Sequence, residues 1–327
     1  MWRTFKWLLV LILVGVIGYA GYYGYSIYKS INEITKPITG INGKNTYPRL
    51  QPPKWNGGRV NILLLGGDSR GLKNFEVPRS DSILVLSLDP DTKQASLYSI
   101  LRDTWVKIPG HGEDRINAAL SVGGPELSMK TVSDLLNIPI NYYVFTDFQG
   151  FIGLINAIGG IDYTVEKDMH YHDSEEPMFN IDLKKGYQHL NGKTALEYVR
   201  FRHDAMSDFA RTDRQREFLG AVAKKVTSTT SLLKLPQILN SIDPYIKTDM
   251  SIQDMWKLAS LGYEVKGTTP ITAQLPPTNL LKETTIRGQD VLTVDPKTLQ
   301  SYFMSELYNK TISASSGSSS ASPSPSK

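Results

Sequence analysis

The sequence of 327 residues contains no cysteine. That excludes disulfides, thiolate metal centres and cysteine nucleophiles together. A dense stripe of lysine and arginine is also missing, and the formal net charge is only +4, which argues against a nucleic-acid binder. Gly66-Gly67-Asp68 lacks the GxGxxG spacing and the P-loop lysine, so nucleotide binding is disfavoured. Gly159-Gly160-Ile161-Asp162 reads as a tight turn from helix into strand. No internal repeat is visible. His170 and His172 sit among Asp173, Glu175 and Glu176, which reads as a solvated charged loop rather than a metal pair.

Charge is absent from Trp7 to Tyr28, a run bracketed by Lys6 and Lys29. At ~1.5 Å of rise per residue it is long enough to cross a ~30 Å hydrocarbon core. Its first half is strongly apolar, and tyrosines crowd its second half (Tyr19, Tyr22, Tyr23, Tyr25, Tyr28), as at a headgroup boundary. A cleaved signal peptide would have a shorter apolar core and a small-x-small site, which is not found. The expectation is a retained transmembrane helix over 7–28. A short stub, 1–6, carries Arg3 and Lys6 and stays in the cytoplasm, so the body lies outside a Gram-positive-type cell membrane. Residues 29–58 are polar and proline-containing and read as a stalk. Residues 313–327, nearly all serine, alanine and proline, read as a disordered tail.

Apolar content of 40% is enough for a sizeable core. Val60 to Leu65, Ser82 to Leu88, Gln94 to Leu101, Tyr142 to Phe145 and Thr269 to Leu275 read as strands. Helical patterns run over Pro125 to Leu136, Phe148 to Ile158, Asp208 to Val226, Ser231 to Ile242 and Ile252 to Leu261. The fold class is therefore a layered α/β sandwich with a central mixed sheet, preceded by the membrane helix. Residues 59–228 carry the motifs and form the catalytic domain. Residues 229–312 carry no readable motif and complete the fold or shape an acceptor groove.

Arginine gathers in short blocks at strand ends and helix starts. They are Gly67-Asp68-Ser69-Arg70, Arg79-Ser80-Asp81-Ser82, Ser99-Ile100-Leu101-Arg102-Asp103, Arg115-Ile116-Asn117, Arg200-Phe201-Arg202-His203-Asp204 and Arg211-Thr212-Asp213-Arg214-Gln215-Arg216. Strand ends are where ligands bind in open α/β sheets, so the blocks are expected to converge. Arg200 and Arg202, two apart, point the same way if the chain is extended there. Arg211, Arg214 and Gln215 share one helix face, which Phe218 and Val222 continue inward; Arg216 points elsewhere, as a surface salt-bridge partner. A lone arginine in such a setting pairs with a neighbouring aspartate, but the full set suits an anion gripped in pairs of oxygens, such as phosphate. Asp68 and Asp81, each beside an arginine, suit a hard cation held partly by phosphate oxygens, with Asp103 as the substitute ligand.

Together these blocks resemble those of the LytR-CpsA-Psr family, in order from about Val60 to Leu219. The resemblance implies a domain that binds a polyprenyl pyrophosphate in an arginine-lined mouth and its lipid tail in an apolar cavity. It implies Mg²⁺-dependent transfer of a teichoic acid-like or capsular glycopolymer to the C6 hydroxyl of peptidoglycan N-acetylmuramic acid. On that reading Arg70, Arg79, Arg102, Arg115, Arg200, Arg202, Arg211, Arg214 and Gln215 hold the pyrophosphate. Asp68 and Asp81 hold Mg²⁺ or Mn²⁺, while Asp81, Arg79 and Arg102 are catalytic. The helices around Leu120 to Leu136 and Phe148 to Ile158 are candidates for the lipid groove. Other readings stay open: a lipid-pyrophosphate carrier, a pyrophosphatase, and a transcription attenuator, which the exported topology disfavours.

Overall fold

The most apolar stretch of the body, Val60–Gly67 (β1), runs up the middle of a six-stranded sheet. Its two faces are both apolar. Val60 and Ile62 bury on one side and Leu63 and Leu65 on the other, as a strand covered on both faces requires. Ser80–Asp89 (β2) pairs with it antiparallel and Gln94–Ile100 (β3) continues antiparallel to β2. Trp105–Ile108 (β4) and Gly112–Arg115 (β5) form a separate hairpin. Tyr142–Asp147 (β6) lies parallel to β1 on its other flank. The structure, a computed structural model, describes residues 21–36, 58–68, 77–173, 180–203, 207–228, 231, 234–265 and 270–308.

Further strands complete the frame. Ile161–Val165 (β7) pairs with Gly186–Leu190 (β10), and Met169–Tyr171 (β8) with Ile181–Leu183 (β9). Ile246–Thr248 (β11) and Ile271–Leu275 (β12) close the two edges of the main sheet, whose order is β11-β6-β1-β2-β3-β12. Lys282–Ile286 (β13) and Gln289–Thr293 (β14) form a hairpin. Its turn residues Arg287 and Gly288 both have positive φ, 52° and 74°, the geometry that matches the twist of tight hairpins.

One face of the sheet (Leu63, Leu65, Ile83, Val85, Tyr98, Ile100) packs on helix α1, Ala118–Leu136, and on Leu299 and Phe303. The Tyr98 and Phe303 rings meet edge-on at 5.1 Å, worth ~1 kcal/mol beyond their burial. Helix α1 breaks at Gly123-Gly124, where Gly124 takes φ 74 ahead of Pro125, and ends on Asn137 in the left-handed region. The helical pattern from Pro125 is therefore one part of a longer element.

Helix α2, Phe148–Ala157, starts where Asp147 accepts from the Gly150 N–H at 2.8 Å. Helix α3, Gly192–Arg200, is capped in the same way by Asn191. Helices α4, Ser207–Val226, and α5, Leu235–Ile242, join these two in a second core around Phe218, Tyr198 and Ile155. Helix α6, Ile252–Val265, covers the remaining face through Met255, Leu258 and Leu261, and α7, Pro296–Tyr302, closes the chain's described end together with Phe303–Tyr308. The α/β layers and the mixed sheet are those expected.

Residues 21–34 are helical and dock on the body. Ser30 donates to Asn240 Oδ1 (2.6 Å), Asn240 donates to Ser26 Oγ (3.1 Å), and Lys247 donates to the Glu33 carbonyl (2.9 Å). Helix thus extends into the stretch expected as a stalk. Among the described residues no helix is long and apolar enough to cross a membrane. The expected span over 7–28 lies mostly outside them, as do Arg70, Asp204 and the tail.

Candidate active site

The pairing directions place the C-terminal ends of β1, β3, β6 and β12 and the start of β2 at one edge of the sheet. There Arg102, just past β3, reaches over to the start of the neighbouring β2 and donates to Asp81 Oδ1 at 2.5 Å. Its Nε lies 3.6 Å from Asp103 and 3.9 Å from Asp208. Asp103 also takes Arg115 at 3.0 Å, and Arg115 Nε and Nη2 both donate to Gln289 on β14 at 2.9 and 2.8 Å.

Asp208, in the first turn of α4, is the hub. Arg211 approaches it at 2.7 Å and Arg202 at 3.5 Å. Arg211 also donates to the Asp81 carbonyl at 2.9 Å. Four guanidiniums (Arg102, Arg115, Arg202, Arg211) thus share three carboxylates (Asp81, Asp103, Asp208). Arg79, at the entrance of β2, is exposed and pairs with no described residue. Among the described residues the mouth therefore carries excess positive charge.

Proximity does not satisfy these groups. Nε of Arg102, Arg202 and Arg211 and both Asp208 oxygens are buried and take no hydrogen bond of good geometry. Buried polar groups are ordinarily paired, so a cluster of orphans at one point marks a place for a ligand. Arg211 is 4% exposed. Burial, together with the nearby Arg102 and Arg202 charges, pushes it down to about 10, against the pull of Asp208 and Asp81. An anion at this point would reverse that strain on the charge.

The structure brings Arg102, Arg202 and Arg211 together with Asp81, and links Arg115 through Asp103. It places other expected residues differently. Arg200 and Arg202 do not share an extended segment: Arg200 ends α3, and its guanidinium lies 5.1 Å from the centre of the Phe148 ring. Arg214 is buried, lies 3.5 Å from Glu166 and donates to the Phe201 carbonyl. Gln215 accepts from Ser82 Oγ at 3.0 Å and donates to the Val199 carbonyl at 3.3 Å, tying α4 to β2 and α3. Arg216 is not a surface residue. It is 8% exposed and donates to Ser99 Oγ and to Asp213.

The structure places the two lipid-groove candidates on different faces of the sheet. Leu120 to Leu136 packs on the face of Leu63 and Val85. The arginine helix contacts the opposite face, through Ser82 and Ser99. Phe148 to Ile158 does lie in the core shared with α4, where Ile155 and Ile158 are buried. On that opposite face Leu64, Leu86 and Val144 are partly buried, in a cluster with Met255 and Leu258 of α6.

Asp208 was missed because an aspartate in a first helical turn looks like ordinary dipole compensation. Its spacing of three before Arg211 was the available signal. Gln289 lies in a hairpin without apolar alternation and left no signal.

For a cation, Gly67 pairs with Ser80, so Asp68 lies one residue beyond that rung and Asp81 one residue within it. Both belong to the same strand ends, the Asp81 side chain is 36% exposed, and the donors are all oxygen. That set fits Mg²⁺ or Mn²⁺ completed by phosphate oxygens. Among the described residues no group of three or more histidines and carboxylates forms a self-sufficient cage.

The architecture and its mouth define an α/β domain with an anion site at its strand ends. The LytR_cpsA_psr family model matches residues 22–306, and the chain belongs to this family. The regulatory protein MsrR of Staphylococcus aureus strain COL is 35% identical over 218 residues, 66% of this chain and 63% of its own length. The chain thus spans somewhat less than two thirds of that relative. The polyisoprenyl-teichoic acid–peptidoglycan teichoic acid transferase TagU of Bacillus mycoides is 35% identical over 232 residues, 70% of this chain and 72% of its own. The solved structure of TagT bound to LI-WTA superposes with a TM-score of 0.61 at 26% identity, covering 85% of this chain and 97% of that one.

Proposed function

We propose that the protein is a membrane-anchored phosphotransferase that moves a polyprenyl-pyrophosphate-linked glycopolymer onto peptidoglycan. The carrying observation is the cluster of buried, unsatisfied guanidinium nitrogens around Asp208, beside the exposed Arg79. The transferase name of the TagU relative and the ligand of the TagT structure support the same reading.

In this reading Arg79, Arg102, Arg202 and Arg211 grip the pyrophosphate, and the polyprenyl tail runs along the partly buried strip of Leu64 and Val144 at the margin of α6. The C6 hydroxyl oxygen of N-acetylmuramic acid attacks the phosphorus that carries the glycopolymer. A new phosphoester bond forms, the bridging P–O bond breaks, and polyprenyl phosphate leaves with the electron pair. Asp81 takes the hydroxyl proton. Mg²⁺, with Mn²⁺ as substitute, would be held by Asp68 and Asp81 and would neutralise phosphate charge. Arg102 and Arg211, already fixed in place, stabilise the charge that develops on the leaving group. The body faces the outside of the cell membrane, where both substrates lie.

The test is reconstitution with a lipid-pyrophosphate-linked saccharide, a peptidoglycan oligomer and Mg²⁺, read by mass spectrometry. The expected product is a phosphodiester-linked conjugate that disappears with EDTA and in Arg102→Ala. Release of free saccharide phosphate without conjugate would make the protein a pyrophosphatase. Binding without turnover would make it a carrier.

A further inference from the structure

A second opening lies beside the arginine mouth at β12, the edge strand of the sheet among the described residues. It is a cleft of about 250 Å³. Its walls include the half-buried rings of Phe209 and Tyr302, the side chains of Gln274 and Asp213, and Pro277 and Thr278. Among the described residues no lysine or arginine lines it, so it offers a phosphate no cation. A neutral ligand suits it.

The polar groups are held in place. Gln274 accepts from Thr212 Oγ1 at 3.2 Å and donates to the Pro276 carbonyl at 3.3 Å, and Asp213 takes Arg216. Aromatic rings beside a fixed amide and a fixed carboxylate are the chemistry that recognises a sugar ring, apolar on one face and hydroxylated at its rim. The volume suits one ring of a chain that continues outside, being below the ~300–1,000 Å³ of pockets that enclose whole small ligands.

Position ties the cleft to the reaction. Phe209 and Asp213, four apart, form one stripe of α4, next to the stripe of Asp208, Arg211 and Gln215. Leu275 pairs with Ile100, two residues before Arg102, and the Leu101 N–H donates to the Leu275 carbonyl at 3.0 Å. We infer that this cleft is the acceptor subsite, holding a sugar ring of the peptidoglycan glycan strand while the lipid-linked donor occupies the arginine mouth. The inference rests on the transferase reading and gives the otherwise motif-free residues 271–302 a role.

The experiment uses the full chain in detergent. A soluble peptidoglycan-derived tetrasaccharide and farnesyl diphosphate are titrated separately by calorimetry. Tyr302→Ala removes a wall, and Thr278→Trp fills the cleft from an exposed position without removing packing. Both are expected to weaken tetrasaccharide binding by about tenfold or more, the scale of one lost ring contact, with diphosphate affinity unchanged. Wild-type affinity for the tetrasaccharide in both variants would overturn the subsite. So would diphosphate binding by the unaltered chain without tetrasaccharide binding. Failure of the unaltered chain to bind the diphosphate would instead overturn the transferase reading, whatever the saccharide does.

Discussion

Arg211 and Arg216 stand five residues apart on one helix, both nearly excluded from solvent, yet they differ in what surrounds them. Burial is the largest influence on each and lowers the proton affinity of both. Arg216 uses its donors on Ser99 and Asp213. Arg211 keeps a buried, unpaired Nε and crowds against two other guanidiniums. A buried arginine is therefore not by itself a site. Unmet donors shared with like-charged neighbours are what separate the mouth from the scaffold.

Several changes would break or sharpen that contrast. The largest effect is expected from Arg102→Ala, which removes the bridge among Asp81, Asp103 and Asp208. Conjugate formation should fall on the order of 10²–10³-fold, as for loss of a transition-state donor, measured as kcat/KM. Asp208→Asn strips the hub of its charge. Stability in urea should drop by about 3 kcal/mol, because three guanidiniums lose their buried partner. Inorganic pyrophosphate should restore much of it, adding ~2.7 kcal/mol at a hundred times its Kd. If pyrophosphate does not stabilise this variant, the cluster is a structural ion network.

Arg216→Ala should act through the fold alone. It leaves the buried Ser99 hydroxyl without its partner, so about 1–3 kcal/mol of stability is lost while donor affinity per folded molecule holds. Arg211→Ala should do the reverse, weakening the donor strongly with a smaller change in urea midpoint. The smallest effect is expected from Asp147→Ala at the start of α2, about 1 kcal/mol from a lost cap with donor binding intact.

Much of the scaffold was legible in the sequence. The central strands are apolar on both faces, and α2 and α4 carry long patterns with polar starts, so their order and class could be read. The arginine blocks were placed at strand ends because a strand's end is visible where apolar residues stop. The short pairs were not legible. Lys282–Ile286 is almost wholly exposed and lacks alternation, so nothing in it marked a strand. Within the site, Arg102 and Arg211 were legible from spacing. The inward turn of Arg216 was not, because it depends on Ser99 of β3, 117 residues away in the chain. Arg200 was misplaced because a nine-residue helix with mixed composition, ending on that arginine, hides inside a segment that also reads as extended.

The most direct test of the central claim is calorimetric titration of the full chain with farnesyl diphosphate, alongside Arg211→Ala and Arg216→Ala. The account predicts one saturable site in the unaltered protein and in Arg216→Ala, and a loss of at least tenfold in Arg211→Ala. Equal affinity in all three, or equal loss in both variants, would contradict it.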